Sequence, residues 1–148
     1  MTTKFRCKVV LLALILAHGF LPSAKSQPGP ILIGHDKVAS AFAKGGPLLE
    51  TNNFKIQAGR REAPGMVEVH ARDTDIFYVL EGAATLVTGG KAVEPKRISD
   101  DEVRAKEIAG GEVSHLVKGD VIVIPKGMPH WFKEVTGPFL YYVVKVTN

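Results

Sequence analysis

The sequence predicts an all-β domain, an antiparallel sandwich or barrel with one short helix ahead of it. Two observations point there. About eight short segments between residues 53 and 146 are rich in β-branched and aromatic residues and are bounded by glycine, proline or polar turns. No stretch of helical period separates them, which favours antiparallel pairing over βαβ units. A third observation is size: 148 residues, 45% hydrophobic and 23% charged, suffice for one buried core and not for two full domains.

In chain order, residues 1–26 read as a secretory signal peptide. Lys4, Arg6 and Lys8 make a basic start, residues 9–21 are almost wholly apolar, and Ala24-Lys25-Ser26 offers small residues ahead of a cleavage after Ser26. The alternative is an uncleaved anchor, but the apolar run is broken by His18 and Gly19 and falls short of the ~20 residues a membrane span requires. The expected location is therefore exported, periplasmic or extracellular, with no stable membrane insertion after cleavage. Cys7 is the only cysteine and leaves with the signal, so disulfides, thiolate chemistry and Cys-based zinc sites are excluded from the mature chain. The formal net charge of +4 has the same origin. Without Lys4, Arg6, Lys8 and Lys25 the remaining fifteen basic residues balance fifteen acidic ones, so no basic stripe exists to attract nucleic acid, and no nucleic-acid partner is expected.

Residues 27–47 read as an extended leader and a short helix over 37–44. Asp36 stands where a helix cap would, Val38, Ala41 and Phe42 share one side, and Gly45-Gly46-Pro47 ends it. The barrel domain is expected over residues 48–148, with strands at 53–58, 66–71, 76–81, 83–88, 112–117, 120–124, 131–135 and 139–146. Glu81-Gly82 reads as a tight hairpin turn. Residues 89–111 exceed the ~12–15 residues of an ordinary connection, so they form either a lid or a solvated flap. Ser99 and Glu102 have capping-box spacing there and suggest a turn of helix. Val121–Ile124, closed by Pro125 and a turn at Lys126-Gly127, reads as a buried strand that delivers His130 in a defined direction, with Trp131 and Phe132 behind it.

The chemistry-bearing residues are few. Residues 66–71 alternate, so Glu68 and His70 share one face and Val67 and Val69 the other. Asp75 follows five residues after His70, and Gly82 seven after that. Each alone reads as readily as an ordinary strand-face or turn residue.

Together the spacings resemble the cupin superfamily. Its first motif runs His-x-His, an acid after three or four residues and Gly after six more. Glu68-x-His70, Asp75 and Gly82 fill those positions, with Glu in place of the first His, Asp in place of the usual Glu, and Glu62 where an opening Gly is usual. Gly119, Pro125, Gly127 and His130 match the second motif in every spacing, with Glu134 where Asn is usual. The resemblance covers nearly all of the mature chain. It implies a double-stranded β-helix, or jelly-roll, barrel with a divalent metal ion inside, held at Glu68, His70, Asp75 and His130. Two imidazoles and two carboxylates suit Mn, Fe, Zn or Ni. Glu68 and Asp75 are also the candidate catalytic bases. His115, Trp131, Glu134 and Tyr78 are candidate pocket residues; His115 shares a strand face with Val113 and Val117 and is expected to be buried. The implied function is metal-dependent action on a small polar metabolite, of oxygenase, decarboxylase, isomerase or lyase type. The alternative is a metal-free cupin that binds a sugar or organic acid without catalysis. Either version allows a homodimer.

Overall fold

Strand alternation governs the chain from Gly46 onward. The structure is a computed structural model that describes residues 29–147; the expected signal peptide and Cys7 lie outside them. Leu32 onward forms one compact unit. Helix α1 (His35–Lys44) starts two residues earlier than expected and is capped differently. Gly34, in an extended conformation, holds the N-cap without any side-chain bond, and Asp36 sits in the first turn, where its charge meets the positive end of the helix dipole. Gly45 at φ 74° ends the helix. Phe42 meets Tyr142 edge-on at 4.9 Å between ring centres, and Lys37 Nζ donates to the Leu48 carbonyl at 2.8 Å, which fastens the helix to the sheet. Among the described residues no helix is long and apolar enough to cross a membrane.

The strands are β1 (Gly46–Glu50), β2 (Phe54–Arg61), β3 (Val67–His70), β4 (Asp73–Thr88), β5 (Lys91–Val93), β6 (Lys96–Arg97), β7 (Glu102–Ala105), β8 (Glu107–Ala109), β9 (Glu112–Val117), β10 (Val121–Ile124) and β11 (His130–Thr147). All pairings are antiparallel. β11 is the hub and pairs with β2, β3 and β4; the path β1-β2-β11-β3-β7-β6 runs out from it, while β9 and β10 lie beside β4. β5 and β8 form a separate two-stranded sheet. The fold is an all-β jelly roll with one short N-terminal helix, as the sequence predicts.

Four expectations need correction. Residues 76–81 and 83–88 are one strand, not a hairpin, because β4 pairs with β11 along its whole length. Gly82 does take a positive φ of 78°, but at a bulge where the β11 partner jumps from Thr136 to Leu140; an added Cβ would lie 2.6 Å from the Pro138 carbonyl oxygen. Residues 131–135 and 139–146 are likewise one strand.

Residues 89–111 contain no helix. They fold into β5 to β8, and β7 adds to the main sheet beside β3. Ser99 Oγ accepts from the Asp101 amide at 3.2 Å while the Ser99 amide bonds to the Glu102 carbonyl, a turn that leads into a strand. Sheet pairing satisfies more backbone groups here than one turn of helix would.

β10 is not a buried strand. Val121 and Val123 are 63% and 55% exposed, and only Ile124 is fully buried. The strand lies at a sheet edge, and its outward residues pair across with Tyr78 and Ile76 of β4. The buried cluster instead centres on Phe77, Leu86, Phe132, Phe139 and Tyr141. Gly59 makes room for it: an added Cβ would come within 2.2 Å of the Tyr141 ring. Arg72 pairs with Asp101.

Candidate metal centre

The register of three neighbouring strands sets the site. β3 lies between β11 and β7, so His130, Glu68 and Arg104 stand side by side across the sheet, and His70 stands opposite Glu102. Directly paired residues on neighbouring strands point to the same face. The alternation of β3 therefore turns both Glu68 and His70 into the interior. Across the barrel, β4 and β11 place Asp75 opposite Lys145 in the same inward row as Phe77 and Val143. The turn after β10 is tied to the first motif by the Gly127 amide, which donates to the His70 carbonyl at 2.7 Å.

The ligand atoms of Glu68, His70 and His130 all lie within 4.8 Å of one another. Glu68 divides its two oxygens. Oε2 faces His70 Nε2 at 3.4 Å, while Oε1 accepts from Arg61 at 3.0 Å and pairs with Arg104 at 2.8 Å. Burial alone would push the Glu68 carboxyl up, but the contact with His70 and the charges of Arg104 and Arg61 outweigh it and hold the carboxyl well below the usual range. His130 is 2% exposed, and its Nδ1 lies 3.2 Å from the Met128 carbonyl, so Nδ1 donates there and Nε2 is left with a lone pair facing inward. Burial pushes the His130 pKa down, which keeps the ring neutral at neutral pH, as ligation requires.

Asp75 is fully buried and lies within reach of both imidazoles, with Oδ2 3.4 Å from His70 Nε2 and 3.7 Å from His130 Nε2. It stands outside the tight group of three. Its Oδ2 accepts from Lys145 Nζ at 2.6 Å, and its Oδ1 has no hydrogen-bond partner. Two imidazole nitrogens, a carboxylate oxygen and a nearby orphaned buried carboxylate oxygen form a donor set that fits a divalent ion such as Mn, Fe, Zn or Ni. A cavity of about 290 Å³ opens beside these residues, large enough for a small metabolite. Three cationic side chains, Arg61, Arg104 and Lys145, and three acidic ones, Glu68, Asp75 and Glu102, line it.

The four residues of the expected ligand set are thus brought to one place. The four expected pocket residues are not. His115 is exposed, correcting the expected burial, because β9 pairs only with β4 and turns that face outward. Glu134 is also exposed, and its carboxylate accepts from Thr85 at 2.7 Å. Tyr78 is 46% exposed on the outer face. Trp131 donates to the Gly65 carbonyl at 2.8 Å and pins the entry to β3 rather than lining the cavity. Sequence reasoning missed Arg61, Arg104, Glu102 and Lys145. Lys145 carried a legible signal, since it continues the inward alternation of Phe139, Tyr141 and Val143; Arg104 carried none, because its position depends on β7 pairing with β3.

The Cupin family model matches residues 26–148. No curated protein matches the chain. Among solved structures, a Bacillus halodurans protein aligns at 15% identity over 82% of this chain and 83% of its own, with a TM-score of 0.57. KdgF from Halomonas sp. aligns at 16% identity over 70% of this chain and 77% of its own, with a TM-score of 0.51. The DMSP lyase DddQ of Ruegeria pomeroyi aligns at 16% identity over 70% of this chain but 46% of its own, with a TM-score of 0.50. At these identities the likeness is one of fold.

Proposed function

The chain belongs to the cupin family, and from that premise we propose that it is an exported, metal-dependent cupin that acts on a small polar metabolite inside the barrel. The observation that carries the reading is the convergence of Glu68, His70 and His130 beside a charged cavity. When bound, a divalent ion supplies Lewis acidity to a carbonyl or carboxylate of the metabolite. The chain's own residues do the rest. Glu68, kept ionised by Arg61 and Arg104, serves to hold and orient and is a poor base. Asp75, bonded to Lys145 at Oδ2 and bare at Oδ1, offers a further carboxylate oxygen to the ion or the metabolite. The aromatic floor of Phe77 and Tyr141 limits the size of what enters. Fold alone does not select among oxygenase, decarboxylase, isomerase and lyase chemistry.

Export is supported by the basic start, the short apolar run and the small residues before Gln27. Mass spectrometry of the native protein should find a chain that begins near Gln27; intact residues 1–21 in membrane fractions would oppose it. A homodimer is supported by the apolar outer face of β10 and β4, where Val121, Val123 and Tyr78 are exposed.

A second reading, a metal-free binding module, is favoured by one observation: Lys145 Nζ lies 2.9 Å from His70 Nε2, on an atom the metal would use. Elemental analysis of untagged protein, purified without added metal, separates the two. Near-stoichiometric Mn, Fe, Zn or Ni that drops in His130→Ala supports the enzyme. Metal-free protein that takes up none of these ions on addition supports the binding module.

A further inference from the structure

Resting on the metal reading above, we propose that Lys145 and a divalent ion are alternative partners of His70, and that the ammonium, once displaced, holds the carboxylate of a small organic acid. His70 Nε2 has one lone pair. In the structure it faces Lys145 Nζ at 2.9 Å, and the same nitrogen faces Glu68 Oε2 at 3.4 Å within the candidate ligand group. A lone pair that accepts a hydrogen bond from an ammonium cannot at the same time be given to a metal. Asp75 Oδ2, the other partner of Lys145 at 2.6 Å, sits within 3.7 Å of both imidazoles and so is also drawn on when an ion arrives.

Charge balance gives the ligand class. Three cationic and three acidic side chains line the cavity, so its fixed charges cancel. A divalent ion adds two positive charges in a partly closed space, where uncompensated charge is costly. The arginines are already engaged by fixed partners, Arg61 by Glu68 and Tyr141, and Arg104 by Glu68 and Glu102. Lys145 is different. Its side chain is 13% exposed, and displacement from His70 and Asp75 leaves its ammonium in the cavity without a fixed partner. A carboxylate on the ligand offsets one of the two added charges and accepts that ammonium. Metal and carboxylate then bind cooperatively, each raising the affinity of the other by the same factor.

Calorimetric titration of Mn²⁺ into the untagged protein tests this in three buffers of equal ionic strength, containing sodium chloride, sodium acetate, or sodium chloride with acetamide as a neutral isostere. The wild-type protein should bind Mn²⁺ about tenfold tighter in acetate than in the other two, a typical coupling. Lys145→Met should bind Mn²⁺ tighter than wild type in chloride and show no acetate effect. Because that change strands the Asp75 carboxylate, Lys145→Met/Asp75→Asn is measured beside it, and the wild-type comparison needs no variant. Mn²⁺ binding that is equal in the three buffers, or no tighter in Lys145→Met than in wild type, overturns the proposal and leaves the metal reading standing. No Mn²⁺ binding to either protein removes the metal reading itself, and this proposal with it.

Discussion

β3 and β10 are both four-residue strands rich in valine, and they use their alternation in opposite ways. β3 turns its charged residues inward, where Glu68 and His70 meet four partners from β2, β7, β4 and β11, and packs Val67 fully buried on its other side. β10 turns Val121 and Val123 outward to a bare sheet face and buries only Ile124 completely. The cavity end of this barrel is thus its charged region, and one outer face is its apolar one. Burial follows partners rather than residue type. Charges can lie inside where opposite charges and donors meet them, and valines can lie outside where the surface is unpaired or awaits another surface.

Substitutions in the two regions should therefore have very unequal effects. The largest is expected at Glu68→Ala. It leaves Arg61 and Arg104 facing each other with their shared carboxylate gone, and should lower stability by roughly 3 kcal/mol in denaturant unfolding. A loss under 1 kcal/mol would show that the arginines find other partners easily. Next comes Gly59→Ala, whose added methyl collides with the Tyr141 ring and should cost about 2 kcal/mol by the same measurement. An unchanged midpoint would mean the ring is not held against β2.

Acid should act on the charged region alone. In the unfolded chain Glu68 takes up its proton near pH ~4.3 and His130 near ~6.5; in the folded chain both do so lower. Between the folded and unfolded values the unfolded chain binds more protons, so stability rises with pH. In the presence of EDTA, the melting temperature should fall as pH drops below ~6.5, because His130 resists its proton, and again below ~4.3 as Glu68 is neutralised. His130→Gln should flatten the first fall and leave the second. The smallest effect on the single chain is expected on the outer face, where, at protein concentrations low enough to keep it monomeric, Val123→Asp should change stability by no more than ~0.5 kcal/mol. A loss of several kcal/mol there would mean that β10 is covered by something in solution.

The contrast also explains what the sequence made legible. The strand positions around Glu68, His70, Asp75 and His130 were readable because their spacings recur as motifs, and the fold followed from those motifs and the alternation. The outward face of β10 was not readable, since four consecutive apolar residues look the same whether one face or both are covered. Gly82 looked like a hairpin turn because a positive-φ glycine serves a bulge as well as it serves a turn, and only the long pairing of β4 with β11 separates the two. The arginines at Glu68 were hidden for a related reason: Arg61 and Arg104 lie on strands that reach the site only through sheet register.

The central claim is that Glu68, His70 and His130 hold one ion between them. X-ray absorption spectroscopy at the zinc edge, on protein loaded with one equivalent of zinc, reads that directly. Two imidazole scatterers per zinc with oxygen completing the shell, falling to one imidazole in His130→Ala, is the predicted result. A shell of water and carboxylate oxygens without imidazole, or an imidazole count unchanged in His130→Ala, would contradict it.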